Sequence, residues 1–252
     1  MDNREQEFFY KVKMLIITEG KKTEPKLFKH LARIFPTLNK FNIYSYNTNI
    51  YDLYDFLRPY VVDNDLESGD FLQILKEHEN DIDKREILSQ SYSDVLLVFD
   101  FDPHDHRYDF NKLKILLSYF NESTENGKLY LNYPMVESFK HFTSVNDKNY
   151  VERKVFLCDI SNYKSIVSKE SGIGNVGNFT KDTFVYVIEA NLRKLNYITT
   201  GEYNLQDADM LDEQLFECAI VQNNNLEESK SCYVLNTGLI FLPQYNSNWT
   251  EL

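Results

Sequence analysis

DVLLVFDFDPHDHRYDF, residues 94–110, decides the fold. Asp94 to Phe99 is a short β-branched and aliphatic run, apolar on both faces, as a strand buried in the middle of a parallel sheet must be. The run ends on Asp100 and Asp102, followed by a polar loop and a helical pattern over 109–121. Upstream, residues 12–17 (VKMLII) read as a second buried strand, closed by Glu19 and Gly20. Thr23 reads as the N-cap of the helix that follows, with Glu24 and Pro25 in its first turn. Leu27, Phe28, Leu31, Ile34 and Phe35 recur at helical spacing and give that helix one apolar face. Residues 41–46 alternate as a strand, 50–61 and 70–89 read as helices around the loop DNDLESGD, and 128–132 (KLYLN) is another strand. A helix is expected to start at Met135. Strands alternating with helices predict an α/β sheet, mostly parallel and flanked by helices.

The pattern changes near residue 150. KVFLCDI is a candidate strand, SGIGNVG at 171–177 a flexible connector, and 179–196 and 207–222 are helical, the first with Phe184, Val187, Ile188 and Leu192 on its apolar face. The division expected is an α/β part over 1–149 and a mainly helical addition over 150–252, serving dimerisation or partner docking.

Composition narrows the function. The 252 residues are 42% hydrophobic with 18 Phe and 18 Tyr, enough for a sizeable core, and eight glycines and six prolines do not suggest disorder. The net charge of −12 argues against a nonspecific nucleic-acid coat, which needs a broad basic face. It does not argue against a nucleic-acid enzyme, because a site made of carboxylates is acidic until divalent cations enter it. No apolar run is long enough to span a membrane. MDNREQEFFYKVK lacks the apolar core of a signal peptide, and Cys158, Cys218 and Cys232 form neither a zinc pattern nor a disulfide framework. A cytoplasmic protein with no membrane contact is the expectation.

In open α/β sheets ligands bind beyond the carboxyl ends of the strands. Glu19, the Asp100–Asp102 pair and Glu137 all fall there. Period-two alternation would point Asp100 and Asp102 to one face and Phe101 to the other. Two carboxylates so close repel unless a cation, a proton or a lysine lies between them, and Mg²⁺ or Mn²⁺ would resolve that cost. Taken singly, each acid has a simpler explanation: a solvated strand end for Glu19, a helix-dipole partner for Glu24, a loop start for the aspartates. The combination is more specific than its parts. Lys21 and Lys22 sit where a helix N-terminus and cations hold phosphate, or in an ordinary solvated turn. His104 and His106 read as the rim of the site. Lys140 and His141 follow Glu137 by three and four residues, so a helix would return them to its face.

The order strand–TEG, helix, strand–DFD, helix, strand and late glutamate resembles the Toprim fold. TEGKKTEPKLF (18–28) is similar to the EG-x-x-TEP-x-x-F segment of RloB-like Toprim proteins, and NYPMVESFKHF (132–142) resembles their NP-x-x-E-x-aromatic segment, with Tyr133 inserted before Pro134. The resemblance covers roughly the first 145 residues. It implies a metal-dependent nuclease in which Glu19 ligates metal or acts as general acid/base and Asp100 and Asp102 hold Mg²⁺ or Mn²⁺. Glu24 and Glu137 would complete a second metal site by similarity to OLD-type phage-defence nucleases; the helical spacing from Glu137 makes Lys140 or His141 the candidate contact to a scissile phosphate. Two metals would serve the attacking water and the leaving oxygen of a phosphodiester in DNA or RNA, tRNA included. The resemblance also implies an ABC-type ATPase partner, and this chain has no G-x-x-x-x-G-K-[ST] segment of its own. Two other readings stand beside it. One is a haloacid-dehalogenase-like phosphatase with Asp100 as nucleophile, although His104 stands where that motif expects Thr or Val. The other is a non-catalytic Toprim-like regulatory subunit.

Overall fold

The computed structural model describes residues 13–36, 41–62, 65–66, 70–205, 210–245 and 249–250. The expectations for the first twelve residues, for most of the loop over 63–70 and for the start of the helix at 207 therefore lie outside the described residues.

β1 (Met14–Thr18), β2 (Phe41–Ser45), β5 (Asp94–Asp100), β6 (Asn121–Glu122) and β7 (Gly127–Asn132) form one sheet in the order β2-β1-β5-β7-β6. All pairs are parallel except β6 with β7. Every residue of β1, β5 and β7 is buried, as the apolar runs of β1 and β5 required, and β7 buries Lys128 and Asn132 as well. The chain leaves β1 for β2 on one side and returns to β5 on the other. The direction of winding therefore reverses between β1 and β5, which opens a crevice at their carboxyl ends.

Helices α1 (Thr23–Ile34), α2 (Ile50–Leu57), α3 (Phe71–His78), α4 (Ile82–Leu88) and α5 (Phe110–Tyr119) connect these strands. Leu27, Phe28, Leu31 and Phe35 bury the predicted face of α1. The helix expected over 70–89 is two, because Glu79 is extended and Asp81 caps a new start by accepting from the N–H groups of Asp83 and Lys84. A short hairpin pairs β3 (Val61–Val62) with β4 (Asp65–Leu66) where helix and loop were expected. The helix expected from Met135 is only a 3₁₀ turn, Val136–Lys140. Its first residue is tied elsewhere: Val136 N–H donates to Asp100 Oδ1 at 2.7 Å, and the Val136 carbonyl accepts from Asn236 Nδ2 at 3.2 Å.

Beyond residue 150 come β8 (Lys154–Phe156), α6 (Tyr163–Glu170), α7 (Lys181–Thr200), α8 (Leu211–Ser229), β9 (Ser231–Tyr233) and α9 (Phe241–Tyr245). Phe184, Val187, Ile188 and Leu192 are buried on α7 as their spacing predicted. SGIGNVG is a largely exposed connector pinned at Gly172. Gly172 donates its N–H to the Phe142 carbonyl, and a Cβ there would lie 1.9 Å from the Thr143 carbonyl oxygen. The tail closes on the end of β7: Tyr133 bridges Leu235, Thr237 Oγ1 donates to the Leu131 carbonyl, and Gly238 N–H donates to Asn132 Oδ1. Among the described residues no helix is long and apolar enough to cross a membrane.

Candidate metal centre

Glu19 leaves β1 at the crevice. Its backbone N–H donates to the Val98 carbonyl of β5 at 3.1 Å, and its carboxylate Oε2 accepts the Asp100 N–H at 3.0 Å. Asp100, 6% exposed, ends β5 facing the 3₁₀ turn that carries Glu137. The strand stops there. Asp102 turns into the left-handed region at φ 41°, so simple alternation does not orient the pair. Phe101, fully buried against Tyr108 and Tyr133, anchors the turn, and Tyr51 OH donates to its carbonyl at 2.7 Å. Asp102 is still brought within electrostatic reach of Glu19, Asp100 and Glu137.

Glu24 arrives by a route the sequence disguised. Lys22, not Thr23, is the cap position of α1, and no side chain caps it. The Glu24 carboxylate instead folds back and accepts the Gly20 N–H at 2.9 Å. It thus serves the helix terminus and adds its own buried carboxylate to the cluster. Lys21 and Lys22 point to solvent. Gly20 has its own reason: a Cβ there would meet Glu24 Oε2 at 2.8 Å. Gly20→Ala is expected to displace that carboxylate and weaken divalent-cation binding, while a flexible side chain yields cheaply and the melting temperature moves little. Calorimetry beside thermal unfolding checks both halves.

The electrostatics follow from burial. Burial, reinforced by Asp102 and Glu24, pushes Glu19 up to about 8. Burial first, then Glu19, Asp102, Glu24 and Glu137, holds Asp100 well above the usual carboxylate range. Burial also raises Glu24 and Asp102. Two carboxylate oxygens, Asp102 Oδ1 and Glu137 Oε2, are buried with no hydrogen-bond partner. Like charges crowded out of water with unspent lone pairs are an arrangement that protons or a cation must complete. The donors are all hard oxygens, the set that suits Mg²⁺ or Mn²⁺. Among the described residues, however, no three His, Cys, Asp or Glu side chains are gathered closely enough to hold an ion as they stand. Backbone N–H groups occupy one oxygen each of Glu19, Glu24 and Asp100. A cation would have to draw them together.

Lys164, on α6, is the cation beside the acids. Its Nζ lies 3.6 Å from Glu137 Oε1. Partial burial pulls its ammonium down, but Glu137, Asp100, Glu24 and Asp102 outweigh that and hold it above its ordinary value. Sequence reasoning missed it, because no motif marks residues 150–252 and only the tertiary fold brings α6 to the crevice. Lys140, the expected phosphate contact, ends the 3₁₀ turn and, among the described residues, forms no ion pair with the acids. His141 is buried and structural: its ring meets Tyr163 OH at 3.0 Å and Glu170 Oε2 at 2.9 Å, clasping both ends of α6. A cavity of about 670 Å³ lies at the opposite end of the strands, between Ser93, Tyr92 and Asn126, and none of the clustered acids lines it. Comparison with protein-family models, with curated proteins and with solved structures finds no match to this chain, so the chemistry of the crevice rests on these residues alone.

Proposed function

We propose that the chain is a metal-dependent nuclease of Toprim type that hydrolyses phosphodiester bonds in DNA or RNA. The observation that carries the reading is the set of buried acids at the switch point, whose charges are strongly disfavoured and two of whose oxygens lack partners. Glu19, Asp100 and Asp102 would hold Mg²⁺ or Mn²⁺, with Glu24 and Glu137 on the α1 side. The chemistry such an ion would supply, held by these carboxylates, is a nucleophilic water and relief of charge on the phosphate. Glu19 Oε2 is fixed by the Asp100 N–H, which leaves Oε1 as the oxygen that exchanges a proton. Lys164 offers its ammonium to a phosphate oxygen from the solvent side, the role first expected of Lys140. The proposal extends, on the resemblance alone, to an anti-phage effector acting beside an ABC-type ATPase.

The test is a panel of DNA, tRNA and rRNA incubated with the purified chain, with and without Mn²⁺. Strand cleavage that needs the ion is expected. Lys164→Ala should slow it by about 10²-fold, the scale for losing one electrostatic contact to the transition state, and Lys140→Ala should leave it near wild type. One observation favours a second reading, a non-catalytic regulatory subunit: the carboxylates are not gathered as a ligand set. Calorimetry that detects no divalent cation would select it.

A further inference from the structure

We propose that the outer face of α1 is a track for the phosphate backbone of a nucleic acid, leading into the crevice. The inference deepens the nuclease reading and rests on it for the class of ligand, but the track itself needs no bound metal.

α1 and the turn before it concentrate positive charge in a chain of net charge −12. Lys21, Lys22, Lys26, Lys29 and Arg33 all fall there, and Glu24, the one acid among them, is turned inward onto the Gly20 N–H. Lys22, Lys26, Lys29 and Arg33 follow one another by four, three and four residues, which sets them on one side of the helix. Every exposed residue of α1 is one of these cations. At a rise of about 1.5 Å per residue the stripe runs about 16 Å. That is the reach of about four to five phosphates of one strand, at about 3.4 Å of duplex axis each.

Exposed cations on a helix commonly find an acid nearby. Lys84 Nζ lies 3.5 Å from Glu79, and Arg193 Nη2 lies 3.8 Å from Glu189. Among the described residues none of the five cations here pairs with an acid. Arg33 is held by an imidazole instead. His30 Nε2 donates to the Phe179 carbonyl at 2.8 Å, which leaves Nδ1 to accept from Arg33 Nη2 at 2.9 Å. The guanidinium is positioned without being neutralised.

The stripe is open at its side and continuous with the site. The 3₁₀ turn Val176–Asn178 packs beside α1, and a Cβ on its exposed Gly177 would meet only Lys26 Cε, at 4.0 Å. Bare backbone there leaves room for a close approach. At the N-terminal end, Glu24 faces the other acids and Lys164 acts on it electrostatically. A strand held along α1 would therefore enter beside Glu19 and Asp100, while the acidic remainder of the chain repels it elsewhere. An anionic bilayer would meet the same charges, but α1 exposes no apolar side chain to insert into one.

The experiment is fluorescence anisotropy of the full chain in EDTA, with a labelled single-stranded oligonucleotide and, separately, a labelled duplex, between about 50 mM and 200 mM salt. Wild type is compared with Lys26→Gln/Lys29→Gln/Arg33→Gln, whose glutamines keep helix propensity. Lys76→Gln/Lys114→Gln/Lys230→Gln makes the same charge change on other elements, and Lys26→Arg/Lys29→Arg keeps the charge. The stripe variant should lose at least about tenfold in affinity at the lower salt, and its log–log salt slope should be shallower by about 2. The other two variants should match wild type. Unchanged affinity and slope in the stripe variant, an equal loss in the Lys76/Lys114/Lys230 variant, or wild type that binds neither oligonucleotide in EDTA overturns the inference without touching the acid cluster. So does a loss confined to phosphatidylserine vesicles with oligonucleotide binding intact. Stripe-dependent binding by a wild-type chain that cleaves nothing with Mn²⁺ overturns the nuclease reading and leaves the track standing.

Discussion

Asp100→Asn is expected to abolish metal-dependent cleavage and, in the same protein, to raise the stability of the metal-free form. Asparagine keeps the shape of the side chain, and its Oδ1 can still accept the Val136 N–H. What is lost is the charge that a divalent cation needs at the centre of the cluster. A fall of at least about 10³-fold in cleavage rate, or about 4 kcal/mol of transition-state stabilisation, is the scale expected. What is gained is relief. Asp100 is buried and faces Glu19, Asp102, Glu24 and Glu137, so folding at neutral pH must either bury its charge or take up a proton. Asparagine requires neither. The melting temperature in EDTA should therefore rise by several degrees at pH 8, a gain on the order of 1–2 kcal/mol, and the gain should fade only as pH drops below 3.8, the ordinary value beneath which the carboxyl is protonated in both states. Wild-type cleavage by this variant, or a lower melting point at pH 8, would count against the site.

The second large effect is the dependence of stability on pH. A carboxyl raised in the folded state binds its proton there while the unfolded chain has released it. Folding then takes up protons, and stability falls as pH rises from the unfolded pKa to the folded one. For Glu19 that window runs from 4.5 to about 8, and Glu24, Asp100 and Asp102 are shifted in the same direction. In EDTA the melting temperature should decline steadily between pH 5 and pH 8, with stability falling by up to about 1.4 kcal/mol per pH unit for each such group. Asp105 and Asp147, held low by Arg107 and Arg153, contribute in the opposite sense, but at lower pH. Saturating Mn²⁺ should flatten the decline, because the ion replaces the protons, and binding at pH 7 should release them. Titration in two buffers of different ionisation enthalpy counts the protons released. A metal-free melting curve that is flat from pH 5 to pH 8 would mean that the acids are not coupled as their burial indicates.

Much of this site could be read from residue order. Short apolar runs bounded by polar loops read as buried strands, so β1 and β5 were legible, β7 was visible as a further short strand, and an acid after such a strand emerges at its carboxyl end. Glu19, Asp100, Asp102 and Glu137 were found that way. Glu24 was visible as a first-turn residue, but its second role needed the close approach that Gly20 permits. Alternation misjudged how Asp102 is turned, because the left-handed turn that aims it depends on the packing of Phe101 against Tyr108 and Tyr133. It also cast Met135 onward as a helix, since hydrogen bonds to Asp100 and from Asn236 are invisible to local propensity.

The sequence by itself therefore determined the parts: an α/β chain, its buried strands, and acids at their carboxyl ends, because burial and polarity are written locally in side-chain type. Only the tertiary structure decided their company. Strand order set β1 beside β5 and so joined Glu19 to the Asp100 N–H. The crossing of α6 brought in Lys164 and left Lys140 aside. Each of these depends on which distant segments the core packs together, and no local pattern carries that information.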